Sequence, residues 1–314
     1  MLLSRRNGLL AAGAVLVAGA DAPTVRTPVN FTVPPGACDC HVHVIPDPVR
    51  FPFWSGRSYT PPTATPAELL DLQHALHLDH VVIVTPSFYG TDNSAMLEGI
   101  RQLGPKRAHG VAVIGPDTTT AEMDFMARVG VAGIRVNLES GGVTDPGLAA
   151  ANLAAAAAQI AHRRWHIQIY ARLSIIEALK DKLSALPVPM VFDHFAGAAA
   201  AKGPDQPGFS TVLGLVHAGK AYVKISGSYR VSKDAPDYKD VAPLAKALIA
   251  ANPDRIIWGT DWPHTGGPGA KPTDISPPYP VDDGRLMNLL AEWAPDAGTR
   301  RKILVSNPAR LYGF

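Results

Sequence analysis

The chain has 314 residues, of which 46% are hydrophobic and 18% are charged, and its formal net charge is +2. A chain of this length and composition can bury a sizeable core, as one large α/β barrel or as two smaller domains. The small net charge and the absence of a long basic run exclude the electrostatic footprint of a nucleic-acid-binding protein. An anionic ligand would have to be attracted by individual arginines.

The N-terminal stretch has the pattern of an export signal. Arg5 and Arg6 precede an apolar run that is too short to span a bilayer comfortably, and Ala18-Gly19-Ala20 supplies small residues at a cleavage site. A twin arginine followed by Leu9 predicts export by the twin-arginine translocation (Tat) machinery, which carries folded proteins. An ordinary Sec signal or an uncleaved anchor is the alternative.

Cleavage of this signal sets the expected domain boundaries. We expect a signal peptide over residues 1–20, a Pro- and Thr-rich tether over 21–35 and a catalytic domain over 36–314. The mature protein would be periplasmic or secreted, without stable membrane insertion. Cys38 and Cys40 lie too close in sequence to close a disulfide well, so we expect small buried core residues.

Apolar, β-branched runs alternate with helical patterns along the rest of the chain. The predicted strands lie at residues 37–44, 80–87, 107–114, 131–138, 166–172, 189–195, 221–229 and 255–262. Strands that are apolar on both faces are typical of a parallel sheet covered by helices. The alternation predicts an α/β fold, a (β/α)8 TIM barrel. A doubly wound open sheet is the alternative, and it would require a glycine-rich turn after the first strand. This chain has His-Val-His-Val-Ile-Pro at that position instead.

Polar residues recur where the predicted strands end, which is where a TIM barrel carries its reactive groups. His41 and His43 point the same way because side chains on a strand alternate between its two faces. A lone histidine is usually structural, but a converging set is costly to bury without a purpose. The set consists of His41, His43, Ser87, Arg135, Tyr170, His194, Arg230, Asp261 and His264.

Several motifs of the chain resemble the amidohydrolase superfamily. They are, in order, "CDCHVHV", "YTPPTAT", "VIVTPSFYGTDN", "GIRVN", "FDHFAG", "KISGSYR", "GTDWPH" and "ILVSNPARLYGF". More narrowly, they look like the metal-independent lactonase branch typified by 2-pyrone-4,6-dicarboxylate lactonase. The resemblance implies a TIM-barrel hydrolase acting on a carboxylic ester bond.

The superfamily's two-metal pattern is incomplete in this chain. That pattern requires a lysine or glutamate on strand 4 and a histidine on strand 5. This chain has Arg135 on strand 4 and Tyr170 on strand 5 instead. A guanidinium beside a divalent cation is electrostatically unfavourable, so we expect no metal cofactor. The alternative is a single zinc held by His41, His43 and Asp261, since three ligands plus water is a familiar catalytic set.

The resemblance also implies catalytic roles. Asp261 would be the general base that activates water, while His41, His43 and His194 would bind the substrate carbonyl and its developing negative charge. Asp261 is flanked by Trp262 and Pro263. This apolar setting predicts that the pKa of Asp261 is raised.

Arginines indicate an anionic substrate. Arg135 and Arg230 are the anchoring candidates, because guanidinium groups match carboxylates bidentately. Ser87, Tyr170 and His264 could complete the anchoring. Arg57 and Arg172 are further anchoring candidates, although loop or surface roles suit them better. The stretch after strand 4, residues 139–142, carries no basic residue. A sugar-acid lactone or another cyclic ester is therefore as credible a substrate as a highly charged pyrone.

Other functions are compatible with parts of the same pattern. One is a zinc-dependent hydrolase or decarboxylase of the same superfamily. Another is a secreted binding protein with a degenerate site, although a pure binder does not need the carboxylate of Asp261. Nothing in the sequence indicates a nucleic-acid partner.

Overall fold

The structure is a computed structural model that describes residues 25–266 and 271–314. Its sheet has eight parallel strands in the order of the chain. They are β1 (Cys38–Val42), β2 (His80–Val84), β3 (Ala108–Ala112), β4 (Val131–Asn137), β5 (His166–Tyr170), β6 (Met190–Phe192), β7 (Ala221–Ser226) and β8 (Ile256–Gly259). The expected signal peptide, residues 1–20, lies outside the described residues.

The last strand returns to the first, so the sheet is a nearly closed barrel. Asp261 N donates to His41 O and His43 N donates to Trp262 O, each at 2.8 Å. Below them, Asp39 of β1 accepts hydrogen bonds from Thr260 N at 3.0 Å and Thr260 Oγ1 at 2.5 Å. The predicted TIM barrel is confirmed, and its closing seam lies directly beneath the candidate site.

Helices fill the segments between strands and cover the outside of the barrel. Two of these helices are capped at their N-termini by Thr65 and Thr119, which form reciprocal capping boxes with Glu68 and Glu122. The helices are α1 (Pro66–Ala75), α2 (Ser94–Leu103), α3 (Thr120–Arg128), α4 (Pro146–Ile160), α5 (Leu173–Ala178), α6 (Lys180–Ser184), α7 (Phe209–His217), α8 (Ser228–Val231), α9 (Ala242–Ala251), α10 (Asp283–Trp293), α11 (Ala297–Arg301) and α12 (Asn307–Tyr312).

Strand ends differ most from the sequence-based boundaries. The run predicted as a strand over 189–195 is a strand only over Met190–Phe192, and His194–Gly197 forms a tight turn with left-handed backbone conformation. His194, the first residue of that turn, has a positive φ of 46°. The chain thus leaves the sheet early, which turns the side chain of His194 into the barrel mouth.

Residues 25–35, which belong to the expected tether, pack on the barrel. Thr27 Oγ1 donates to Asp282 Oδ2 at 2.6 Å, and Phe31 is partly buried against the core. Cys38 and Cys40 are buried free thiols, as expected. Among the described residues, no helix is long and apolar enough to cross a membrane.

Candidate active site

Four side chains converge at the carboxyl ends of β1, β6 and β8. Oδ1 of Asp261 lies 3.6 Å from Nε2 of His41, 3.6 Å from Nε2 of His43 and 3.9 Å from Nε2 of His194. All four residues are buried. The structure therefore brings together every residue that the sequence analysis expected to be catalytic.

Asp261 is held by two donors on its other oxygen. Tyr229 donates to Oδ2 at 2.6 Å, and Arg230 Nε forms a short hydrogen bond with the same atom. Burial would raise the pKa of Asp261, but the Arg230 guanidinium outweighs burial and holds the pKa well below its usual range. The expectation of a raised pKa is wrong, because the sequence did not show that Arg230 packs on this carboxylate.

The ring of His43 is fixed by a backbone carbonyl. Nδ1 of His43 lies 2.7 Å from Val84 O, an atom that only accepts hydrogen bonds. Burial lowers the pKa of His43 to about 4, so the ring is neutral at ordinary pH. Its single proton is then on Nδ1, and Nε2 presents a lone pair towards Asp261. The sequence analysis expected His43 to bind the substrate carbonyl. A neutral His43 cannot donate a hydrogen bond from Nε2 to that carbonyl.

His194 differs from His43 in what it can present. Its Nδ1 lies 3.0 Å from Ser226 Oγ, a hydroxyl that can donate to the ring. In that arrangement the proton of a neutral ring is on Nε2, which faces Asp261. Burial lowers the pKa of His194 to about 4. His194 is thus able to offer an N–H to an oxyanion without being charged.

A buried charged layer supports the histidines from below. Asp193 Oδ1 lies 3.2 Å from His41 Nδ1, and Asp193 Oδ2 accepts from Arg135 Nε at 3.1 Å. Lys224 Nζ donates to Gln168 Oε1 at 2.6 Å and lies 3.7 Å from Asp193 Oδ1. The sequence analysis did not select Lys224 or Gln168. A lysine inside an apolar strand run was the signal that could have found this layer.

The anchoring candidates lie on two sides of the mouth. Ser87 and Arg135 line a cavity of about 600 Å³ between the ends of β2 and β4 and the loop after β1. Tyr170 and Arg230 line two cavities on the other side, one of about 110 Å³ beside His194 and one of about 710 Å³. Volumes of this larger size are within the range of ordinary small-molecule sites. Each of these four residues is therefore accessible to a bound substrate.

His264 is not brought to these cavities. It is fully buried, and its Nε2 lies 3.1 Å from Asp283 Oδ2. Its ring packs edge-on against the ring of Tyr229, with centroids 5.3 Å apart. Because Tyr229 donates to Asp261, His264 supports Asp261 from behind and does not line these cavities.

The donor atoms at the centre fit a single divalent cation. His41, His43 and Asp261 each place one potential ligand atom within 4.8 Å of the other two. Nε2 of His41 and Oδ1 of Asp261 have no hydrogen-bond partner within the described part of the chain. Arg135, expected to repel a cation, is paired with Asp193 at 3.0 Å. Its charge is therefore largely compensated, and the electrostatic argument against a metal is weaker than expected.

The chain is similar to known proteins in sequence and in fold. The chain is 36% identical over 289 residues to a 4-sulfomuconolactone hydrolase of Hydrogenophaga intermedia, covering 91% of each protein. It is 35% identical over 292 residues to a 2-pyrone-4,6-dicarboxylate hydrolase of Comamonas testosteroni, covering 90% of this chain and 92% of that protein. An apo crystal structure of an Agrobacterium tumefaciens protein superposes with a TM-score of 0.78 at 28% identity, covering 92% of this chain and 97% of that one.

The family assignment follows from the sequence and the fold together. Eight parallel strands close around a cluster of histidines and one strand-8 aspartate. The model of the amidohydrolase family matches residues 38–314, which include every strand of the barrel. The chain belongs to the amidohydrolase family.

Proposed function

We propose that this hydrolase opens a lactone that carries an anionic group. The observation that carries the proposal is Oδ1 of Asp261, an ionised carboxylate oxygen that is surrounded by imidazoles in the barrel mouth and has no hydrogen-bond partner among the described residues. Arg135 and Arg230 lie beside it and suit an acidic substituent. The lactone hydrolases among the relatives support this substrate class.

The reaction requires one proton to move twice. A water attacks the lactone carbonyl as Oδ1 of Asp261 accepts its proton, and a C–O bond forms. The ring C–O bond then breaks, and the proton passes from Asp261 to the leaving oxygen. The product is an open-chain hydroxy acid or its tautomer. Nε2 of His194 is placed to donate to the oxyanion formed in between.

A metal-dependent version of the same hydrolysis is the second candidate. It is favoured by the lone pair that His43 directs at Asp261 and by Nε2 of His41, which lacks a hydrogen-bond partner within residues 25–266 and 271–314. These three residues would hold the ion. A divalent cation bound there would polarise the carbonyl and acidify water.

A substrate panel assayed in two metal states tests both candidates. Acidic lactones, neutral lactones, linear esters and amides are incubated with chelator-treated enzyme and with enzyme reloaded with zinc. We expect hydrolysis of acidic lactones and little of the amides. Equal rates in both states would support the metal-independent reaction. Failure to hydrolyse any lactone in either state would overturn the proposed function.

We also propose that the enzyme acts in the periplasm after Tat export. The support is the twin arginine, Arg5 and Arg6, ahead of an apolar run. In a fractionated bacterial host, the wild-type chain should appear in the periplasm and the Arg5→Lys, Arg6→Lys double variant should remain in the cytoplasm. A cytoplasmic wild-type chain would contradict this localisation.

A further inference from the structure

The cavity of about 600 Å³ that Arg135 lines has a second guanidinium on its wall, that of Arg57. Arg57 comes from the loop after β1, and Arg135 comes from β4. The loop after β4 also lines this cavity, where Ser140 and Gly141 carry no charge. Within this cavity the positive side chains are therefore Arg57 and Arg135.

The guanidinium of Arg57 is held in place by neutral groups. Nε donates to Thr60 Oγ1 at 2.7 Å, and Nη1 donates to Trp54 O at 3.1 Å. One face of the group lies over the ring of Phe53, 5.6 Å from its centroid. These contacts fix the group while leaving Nη2 without a hydrogen bond among the described residues.

The loop that carries Arg57 is itself anchored. Trp54 N donates to Phe88 O at 2.9 Å, which ties the loop to the turn after β2. Gly56 packs so closely on the indole of Trp54 that an added Cβ would lie 2.5 Å from a ring carbon. Arg57 is thus presented by a preorganised loop, which lowers the entropic cost of binding a ligand.

Arg57 also differs from the other arginines of the mouth in its charge balance. Arg135 is paired with Asp193, Arg230 with Asp261 and Arg172 with Glu139. In the described ranges, no carboxylate lies within ion-pair distance of Arg57. Asp92 lines the same cavity, but its Oδ1 accepts the backbone N–H of Ser94 at 2.8 Å.

A fixed, accessible guanidinium without a carboxylate is suited to an anion from outside the chain. We propose that Arg57 binds an acidic substituent of the lactone and determines specificity for acidic substrates. This inference rests on the proposed lactone hydrolysis and names the residue that reads the charge. It also explains how the cavity recognises an anion although residues 139–142 provide no basic side chain.

Paired substrates test this role. The substrates are one lactone ring with a carboxylate substituent and the same ring with a carboxamide. For the carboxylate, Arg57→Met should raise KM by about 10- to 100-fold with kcat nearly unchanged, since a hydrogen bond to a charged group is lost. For the carboxamide, KM should not change. Arg57→Lys should be intermediate because it keeps the charge without the planar fork.

Arg50→Met is the matched control. Arg50 lies in the same loop and stacks on Phe51 at 5.3 Å, but it is exposed and does not line the cavity. This variant should retain the wild-type KM for both substrates. An unchanged KM in Arg57→Met, or an equal loss for carboxylate and carboxamide, would overturn the role of Arg57.

A binding measurement separates this inference from the proposed function. If the wild-type enzyme opens neither lactone, the proposed function fails, and citrate binding measured by calorimetry then tests Arg57 alone. Weaker citrate binding by Arg57→Met than by Arg50→Met would support anion recognition by Arg57. Equal binding by the two variants would overturn it.

Discussion

At the scale of single residues, Arg135 both pairs with a buried carboxylate and lines the cavity. Its guanidinium donates hydrogen bonds to Asp193, and the residue as a whole is 7% exposed where it lines the cavity. A substitution here should therefore affect both protein stability and substrate binding. This distinguishes Arg135 from Arg57, which has no carboxylate partner in the part of the chain that the structure describes.

We predict that Arg135→Ala raises KM for acidic lactones and also lowers the free energy of unfolding by about 1–3 kcal/mol. The stability loss arises because Asp193 loses a charged partner in a buried site, although Lys224 remains near it. Steady-state kinetics and guanidinium denaturation measure the two effects. A wild-type KM in a folded variant would show that Arg135 does not anchor the substrate.

The site residues that could be predicted from the sequence differ in their position on the strands from those that could not. His41, His43 and Asp261 stood at strand ends, where a polar residue breaks an apolar run and indicates a site. Lys224 and Gln168 lie inside strands, and only the closed barrel shows that their side chains meet Asp193. Sequence spacing gave no indication of the Arg230–Asp261 contact, which reverses the expected pKa shift.

At the scale of elements, the turn between β7 and α8 is built around Gly227. This residue has a positive φ of 59°, and an added Cβ would lie 3.0 Å from His194 Nδ1 and 3.2 Å from Asp261 Oδ2. The glycine therefore permits the side chains of His194 and Asp261 to approach the backbone.

We predict that Gly227→Ala reduces kcat at least about tenfold, because displacing a catalytic group by a fraction of an ångström is costly. Gly219→Ala is the matched control. Gly219 precedes β7 at the opposite end of the strand and also has a positive φ, of 71°. Both variants should lose about 1 kcal/mol of stability, but only Gly227→Ala should lose activity. Equal kcat values in the two variants would contradict this reading of the turn.

Element types were predictable, and boundaries were less so. All eight strands lie within the runs predicted from apolar, β-branched composition. Each strand is shorter than its run because the last residues leave the sheet to form the site, as His194 does. The chain between Leu173 and Ser184 forms two helices, α5 and α6, because Leu179 interrupts the helix with ψ near 8°. Periodicity does not reveal such a local break.

At the scale of the whole molecule, acid stability depends on buried neutral histidines. His166 on β5 is 1% exposed, and burial lowers its pKa to about 3. An unfolded histidine titrates near pH 6.5, so the unfolded chain binds more protons below that pH. The contribution of His166 to stability is therefore present above pH 6.5 and is lost as pH falls towards 3.

We predict that His166→Phe reduces this acid sensitivity. The aromatic ring keeps the packing against Tyr312, where the ring centroids are 5.3 Å apart, but does not titrate. Between pH 7.5 and 5.5, the variant should lose about 1 kcal/mol less of its unfolding free energy than the wild type. Denaturation midpoints at the two pH values measure this difference. Identical losses would show that His166 is not held neutral in the fold.

The hydrolysis rate of Asp261→Asn on an acidic lactone tests the central claim most directly. The substitution keeps the shape of the side chain but removes its basicity, so kcat should fall by about 10²- to 10⁴-fold while the thermal unfolding midpoint changes little. Asp117→Asn, at an exposed position after β3, should retain the wild-type rate. A wild-type rate in Asp261→Asn would contradict the account.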